Sequence, residues 1–200
     1  MARRARDRLE HRPPCRPPPG PAAPAAIISV GSTHSAYAAE PEWIARHTLL
    51  LPGALAADTP VLGVCFGAQA LALAGGGEVA LAARPELGWV EPQREQQELA
   101  GPWLSWHFDT ITAPPAAAVP LARSPDALQA FRLGRSLGIQ FPSGGHADDL
   151  ELVDRLRSRG RPAPRRRSRA VRGEPRGARR RVTRACVRTA RWWHRALAEA

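Results

Sequence analysis

Lysine is absent from this 200-residue chain, so all 29 of its basic residues are arginine. Cysteine is scarce and scattered, at Cys15, Cys65 and Cys186, with no Cys-x-x-Cys or His-x-x-x-His pair. That spacing excludes a zinc-finger pattern and a disulfide framework; no metal or other cofactor is expected, and a reducing, cytoplasmic compartment is. Long apolar runs are missing too. The longest stretch near the start, Ala22 to Val30, contains Pro24, which argues against a secretory signal, and no segment reaches the length of a membrane span, so no membrane partner is expected. There is no internal repeat.

What is present divides sharply by charge. Residues 25–157 carry a net −6, against +4 for residues 1–24 and +13 for residues 158–200, which together account for the +11 of the chain. The central part therefore reads as one mildly acidic domain of a size that buries a single core, and the ends read as a disordered Arg/Pro-rich arm and a disordered Arg-rich tail. Pro13-Pro14 and Pro17-Pro18-Pro19 suit an extended arm and exclude a helix there. The densest clusters, Arg165-Arg166-Arg167 and Arg179-Arg180-Arg181, could bind nucleic-acid phosphates, with Trp192-Trp193 stacking on bases. The competing explanation is that G+C-rich codons are being read out of frame; a gene locus with no alternate frame encoding a conventional C-terminus would rule it out.

Val61-Leu62-Gly63-Val64-Cys65-Phe66-Gly67-Ala68-Gln69 is the most informative stretch. An apolar strand runs into a cysteine with a glycine two positions away on either side, and strong helix formers follow up to Gly75-Gly76-Gly77. This is the pattern of a nucleophile elbow, in which a sharp strand-to-helix turn holds one side chain at the mouth of a sheet. The N–H groups at the helix start face that side chain and favour a thiolate.

Gly63-Val64-Cys65-Phe66-Gly67-Ala68-Gln69 resembles the Gly-x-Cys-x-Gly-x-Gln signature of class I, triad-type glutamine amidotransferases, most closely the stand-alone, GMP synthase-like members. The resemblance extends to Gly31-Ser32-Thr33-His34-Ser35-Ala36-Tyr37, Glu86-Leu87-Gly88-Trp89, Trp106-His107-Phe108-Asp109 and Gln129-Ala130-Phe131-Arg132-Leu133-Gly134, and covers about residues 26 to 157. It implies an α/β fold of flavodoxin-like type with a mainly parallel sheet flanked by helices. It also implies a glutaminase reaction, in which Cys65 forms a thioester with glutamine and ammonia passes to a synthetase partner. Backbone N–H groups of Gly31 and Phe66 would hold the oxyanion, and Gln69 and Gly67 would contact the substrate.

The chain departs from the family where the catalytic base belongs. The family strand Gly-x-Gln-Phe leads directly into His-Pro-Glu, whereas Gly138-Ile139-Gln140-Phe141 leads into Pro142-Ser143-Gly144-Gly145-His146. The triad is therefore degenerate, and His146 is the candidate for a relocated base. Impaired glutamine hydrolysis is the expected activity. The alternatives are a non-enzymatic nucleic-acid-binding protein acting through its ends, and a hydrolase or peptidase of the same fold using His146. His107 and Asp109 are expected to tie neighbouring loops together, His34 to hold the glycine loop or substrate, and His47 to lie on a helix surface.

Between the arms, strands are expected at Ala26 to Val30, Val61 to Val64, Gly88 to Glu91, Thr110 to Thr112, Leu128 to Arg132 and Leu137 to Phe141. Helices are expected at Glu40 to Leu50, Ala68 to Ala74 and Asp148 to Leu156. Early strand–helix alternation and later local pairing predict a parallel sheet with an antiparallel extension.

Overall fold

A computed structural model describes residues 24–141, 187–189, 191–193 and 195. The helix expected at Asp148 to Leu156, His146 and the two arginine clusters lie outside the described residues.

Three short strands make the parallel half of the main sheet. These are β1 (Ile27–Ser29), β2 (Val61–Val64) and β8 (Ser136–Ile139), with β2 paired in parallel to both of the others. Side chains alternate along β2, so Val61 joins the core on one face while Leu62 and Val64 join the core on the other. The antiparallel half is β7 (Leu128–Leu133), β6 (Val119–Arg123) and β4 (Gln93–Arg94), giving the order β1-β2-β8-β7-β6-β4. The α/β class, and a parallel sheet extended by antiparallel strands, are as expected, with the extension forming half of the sheet. Two longer strands, β3 (Glu78–Val90) and β5 (Trp103–Ala113), form a separate antiparallel ribbon.

Helix α2 (Phe66–Ala74) follows β2 directly, and its residues from Phe66 through Ala72 are all buried. A short helix that is apolar nearly all round belongs inside, and Phe66-Gly-Ala-Gln-Ala-Leu-Ala has Gln69 as its single polar residue, with a buried hydrogen-bond partner. It stops where expected, with Gly76 at φ 83 and the Gly77 N–H returning to Ala72 O at 2.8 Å.

Helix α1 runs from Trp43 to Ala56 and carries Pro52 within it, beyond the end expected at Leu50. A proline inside a helix costs about 3 kcal/mol. Leu51 and Ala54, buried with Ile44 on the same face, supply the packing that keeps the chain helical past it.

Two apolar clusters cover the two faces of the sheet. One joins α1 and α2 to Val61, Leu128 and Phe131, and the other joins Val64, Leu99, Trp103, Leu121, Leu137, Ile139 and Phe141. Trp103 and Phe141 stack at 4.2 Å, with ring planes 13° apart. Trp192 and Trp193 pack, partly buried, on the second cluster.

Of the tail, residues 187–189, 191–193 and 195 are described, and they are helical and docked. Arg188 donates to Glu98 O at 3.1 Å and Ala100 O at 2.8 Å, Thr189 donates to Glu98 O at 2.9 Å, and the Trp193 indole donates to Arg135 O at 3.3 Å. Apolar area on two adjacent tryptophans outweighs the arginine-rich surroundings, which composition alone does not reveal.

Candidate active site

Cys65 sits at the junction of β2 and α2 with φ 54 and ψ −109, a conformation costly for any residue with a Cβ. Its N–H donates to Ile139 O at 2.8 Å, continuing the ladder to β8, and its carbonyl accepts from the N–H groups of Ala68 at 3.0 Å and Gln69 at 3.1 Å. The turn is thus held from both sides.

The flanking glycines are required by space. A Cβ on Gly63 would lie 2.5 Å from Gly67 O, and one on Gly67 would lie 2.1 Å from Ser29 O. The elbow is therefore tight enough to exclude even a methyl group at these two places. Gly67, expected to contact substrate, is buried against Ser29, and close packing of α2 onto β1 is the role its geometry shows.

Gly31, Phe66 and Gln69 lie around Cys65, and His146 lies outside the described residues. A Cβ built on Gly31 would lie 3.7 Å from Cys65 Cβ, so the glycine loop faces Cys65. The Phe66 N–H, at the start of α2, faces the Cys65 thiol and favours its charged form. Gln69, 3% exposed, donates its amide to Asp109 O at 3.1 Å and to Gln140 Oε1 at 3.4 Å. Gln140, 1% exposed, donates to Cys65 Sγ at 3.9 Å.

Sequence reasoning passed over Gln140. The signal was present, because Gln140 directly follows the strand that pairs beside the cysteine, but its side chain joins the site only through the β2–β8 pairing.

Burial pushes the Cys65 thiol above its usual range; the Phe66 N–H works in the opposite direction, and the charge of Asp109 adds to the rise. Phe66 and Gln140 are therefore donors at a sulfur that is otherwise poorly placed to ionise.

A polar network lies behind these residues. His107 Nδ1 is 2.9 Å from Asp109 O and its Nε2 is 3.1 Å from Glu86 Oε2. Both ring nitrogens thus face acceptor oxygens. Burial alone would raise the Glu86 carboxyl, but hydrogen bonds from His107, Ser124 and Gln129 outweigh it and hold the group below its ordinary range. Tyr37 of the glycine loop donates to Asp109 Oδ1 at 3.1 Å. Asp109 is therefore the loop tie expected of it, whereas His107 ties β5 to β3 within the ribbon.

The remaining histidines divide. His34 is exposed and bonded within its loop to Ser32 Oγ at 3.3 Å. His47, expected on the surface, is half-buried instead, with Nε2 2.9 Å from Ser29 Oγ and its ring 5.6 Å from that of Phe66. The cause is the turn of α1, which places residue 47 over the start of α2. Among the described residues no group of three or more His, Cys, Asp or Glu side chains could hold a metal ion, and no helix is long and apolar enough to cross a membrane.

Comparison with known proteins places this geometry. The chain is 35% identical over 114 residues to the GMP synthase (glutamine-hydrolysing) of Aeropyrum pernix, a match covering 50% of this chain and 21% of that protein. It is 31% identical over 134 residues to a gamma-glutamyl-L-1-hydroxyisopropylamide hydrolase of a Pseudomonas species, covering 58% of this chain and 45% of that one. The chain thus spans less than half the length of these relatives. Among solved structures, a glutamine amidotransferase from Methylobacillus flagellatus superposes with TM-score 0.59 at 28% identity, over 87% of this chain and 74% of that chain. A glutamine amidotransferase from Thermotoga maritima shares the fold with TM-score 0.59 at 23% identity, over 86% and 76% of the two chains. The family model of class-I glutamine amidotransferases matches residues 18–132, more than half of the sequence, and the chain belongs to that family.

Proposed function

We propose that this chain is a glutaminase in which Cys65 attacks the side-chain carboxamide of glutamine. The sulfur bonds to the carbonyl carbon, the C–N bond breaks, and ammonia leaves; water then cleaves the thioester to give glutamate and the free thiol. The observation that carries this reading is the strained Cys65 backbone, at φ 54, held between two glycines that admit no Cβ. A buried structural cysteine needs no such conformation. The names of both relatives agree with it, since each describes cleavage of an amide on a glutamyl side chain.

The oxyanion of the tetrahedral intermediate would be held by the N–H groups of Phe66 and Gly31, and Gln69 would stand beside the bound carboxamide, while Gly67 lets α2 pack close to β1. The reaction needs no cofactor. Turnover is impaired, because Phe141 leads into Pro142-Ser143 where the family supplies His-Pro-Glu, and the described donors at the sulfur are a backbone N–H and an amide. The candidate for a relocated base is His146, five residues beyond Phe141.

Ammonia would pass to a synthetase partner, as the GMP synthase likeness suggests. The nucleic-acid alternative loses its stacking element, since Trp192 and Trp193 pack on the core instead of standing free. No observation favours a peptidase.

Ammonia release from glutamine by the purified chain, beside Cys65→Ala and His146→Ala variants, tests the proposal. Slow release that disappears in Cys65→Ala is the expected result, and loss in His146→Ala as well identifies the recruited base. Release equal in the wild-type chain and Cys65→Ala would refute the glutaminase reading.

A further inference from the structure

The amide chain behind Cys65 has a determinate direction. A backbone carbonyl only accepts, so Asp109 O requires that Gln69 turn its NH2 group inward, at 3.1 Å. The same nitrogen reaches Gln140 at 3.4 Å, which commits the oxygen of Gln140 to accepting. The amide nitrogen of Gln140 is then the end left facing Cys65 Sγ, at 3.9 Å. Neither amide can be flipped without setting two acceptors or two donors against each other. The backbone of Gln140 is fixed as well, with its N–H on Gln129 O at 2.8 Å.

We propose that Gln140 is a positioning residue for the nucleophile, an N–H donor oriented from Asp109 through Gln69 that holds the Cys65 sulfur and favours its thiolate; this rests on Cys65 being the nucleophile. In a chain without the family's histidine at the usual place, the amide is the side-chain donor that the described site offers to the sulfur. It cannot take the thiol proton, so it does not replace a base. It lowers the cost of the charge that appears when the proton leaves, and it opposes burial and the carboxylate of Asp109, the charged group that acts on Cys65.

The test is the pH profile of Cys65 alkylation by iodoacetamide in the intact chain, read at Cys65 by peptide mass. Gln140→Leu removes the donor, and Gln140→Glu keeps the shape while placing an acceptor against the sulfur. Each is expected to raise the midpoint, by about one pH unit for Gln140→Leu, a roughly tenfold loss of rate below the midpoint, and by more for Gln140→Glu. Gln69→Leu, which leaves the Gln140 amide without its anchor, is expected to shift the midpoint in the same direction by less. A Gln140 that merely fills space would leave the midpoint in place. An unchanged midpoint in Gln140→Leu, or in the isosteric Gln140→Glu should the leucine variant not fold, overturns the proposal. Alkylation needs no glutamine, so a chain that hydrolyses none still reports on Gln140, and failure of either idea is seen separately.

Discussion

A methyl group at residue 67 would meet Ser29 O at 2.1 Å, so Gly67→Ala must part α2 from β1 or shift the elbow. The expected loss is about 1–3 kcal/mol, as for other overpacked interior sites, measured as a lower urea midpoint at unchanged slope. His47 contributes a pH dependence with a definite sign. Desolvation lowers its pKa from 6.5, so the unfolded chain binds the proton more readily than the native one as pH drops. Its effect on stability is nil above about pH 6.5 and becomes a loss as pH falls below that value towards the depressed native one. Replacing His47 with Gln is expected to flatten this part of the curve of unfolding midpoint against pH, and a curve identical to wild type would contradict it. The position of His47 was not legible in the sequence, because only the crossing of α1 over α2 brings it to Ser29.

At the scale of elements, the sequence showed those whose residues agree with one period. Strand β2 and helix α2 were placed almost to the residue, since an apolar run, an elbow glycine and an alanine-rich helix speak together. Strand β6 was missed because Val119-Pro120-Leu121 puts a proline inside it, and the pairing with β7 accommodates that proline by shifting register between Pro120 and Ala122. The long ribbon β3–β5 was seen only in fragments, since its register breaks between Leu81 and Glu86, across Arg84-Pro85. That ribbon is joined to β7 through Glu86, which accepts from both His107 and Gln129. Glu86→Ala would leave a buried imidazole without its carboxylate, and a loss of about 3–5 kcal/mol is expected in chemical denaturation. Helix α1 offers a change of the opposite sign. Pro52 is exposed within it, so Pro52→Ala restores an N–H donor to the helix and is expected to raise the melting temperature, by roughly 1–3 kcal/mol of stability once the stiffer unfolded proline chain is discounted.

For the whole molecule, the described tail residues complete the second core. Trp192 and Trp193 cover the cluster that contains Trp103 and Phe141, the residue next to Gln140. Exchanging both for alanine uncovers that cluster, and a loss of about 2–5 kcal/mol is expected from apolar area and packing together. An unfolding midpoint equal to that of the parent chain would show that the segment does not contribute to the domain. Among the described residues β1 is an edge strand, and its Ile28 and the adjoining Val30 are each 64% exposed. An apolar edge of this kind invites pairing with other chains, which makes concentration-dependent association a further property to watch during these measurements.

By itself the sequence determined the cysteine elbow and its local frame. A strand, a cysteine between two glycines and a helix are all short-range features, and the collisions that forbid a Cβ at Gly63 and Gly67 are a consequence of the turn those residues encode. It also determined where the family pattern stops, after Phe141. Tertiary structure alone decided which distant side chains meet the sulfur. Gln140 lies 75 residues from Cys65 and Asp109 lies 40 from Gln69, so their contacts exist only through the pairing of β8 with β2 and the packing of the ribbon against α2. It likewise decided that two tryptophans in an arginine-rich tail belong to the core, because burial depends on the surface an aromatic ring meets and composition does not record that surface.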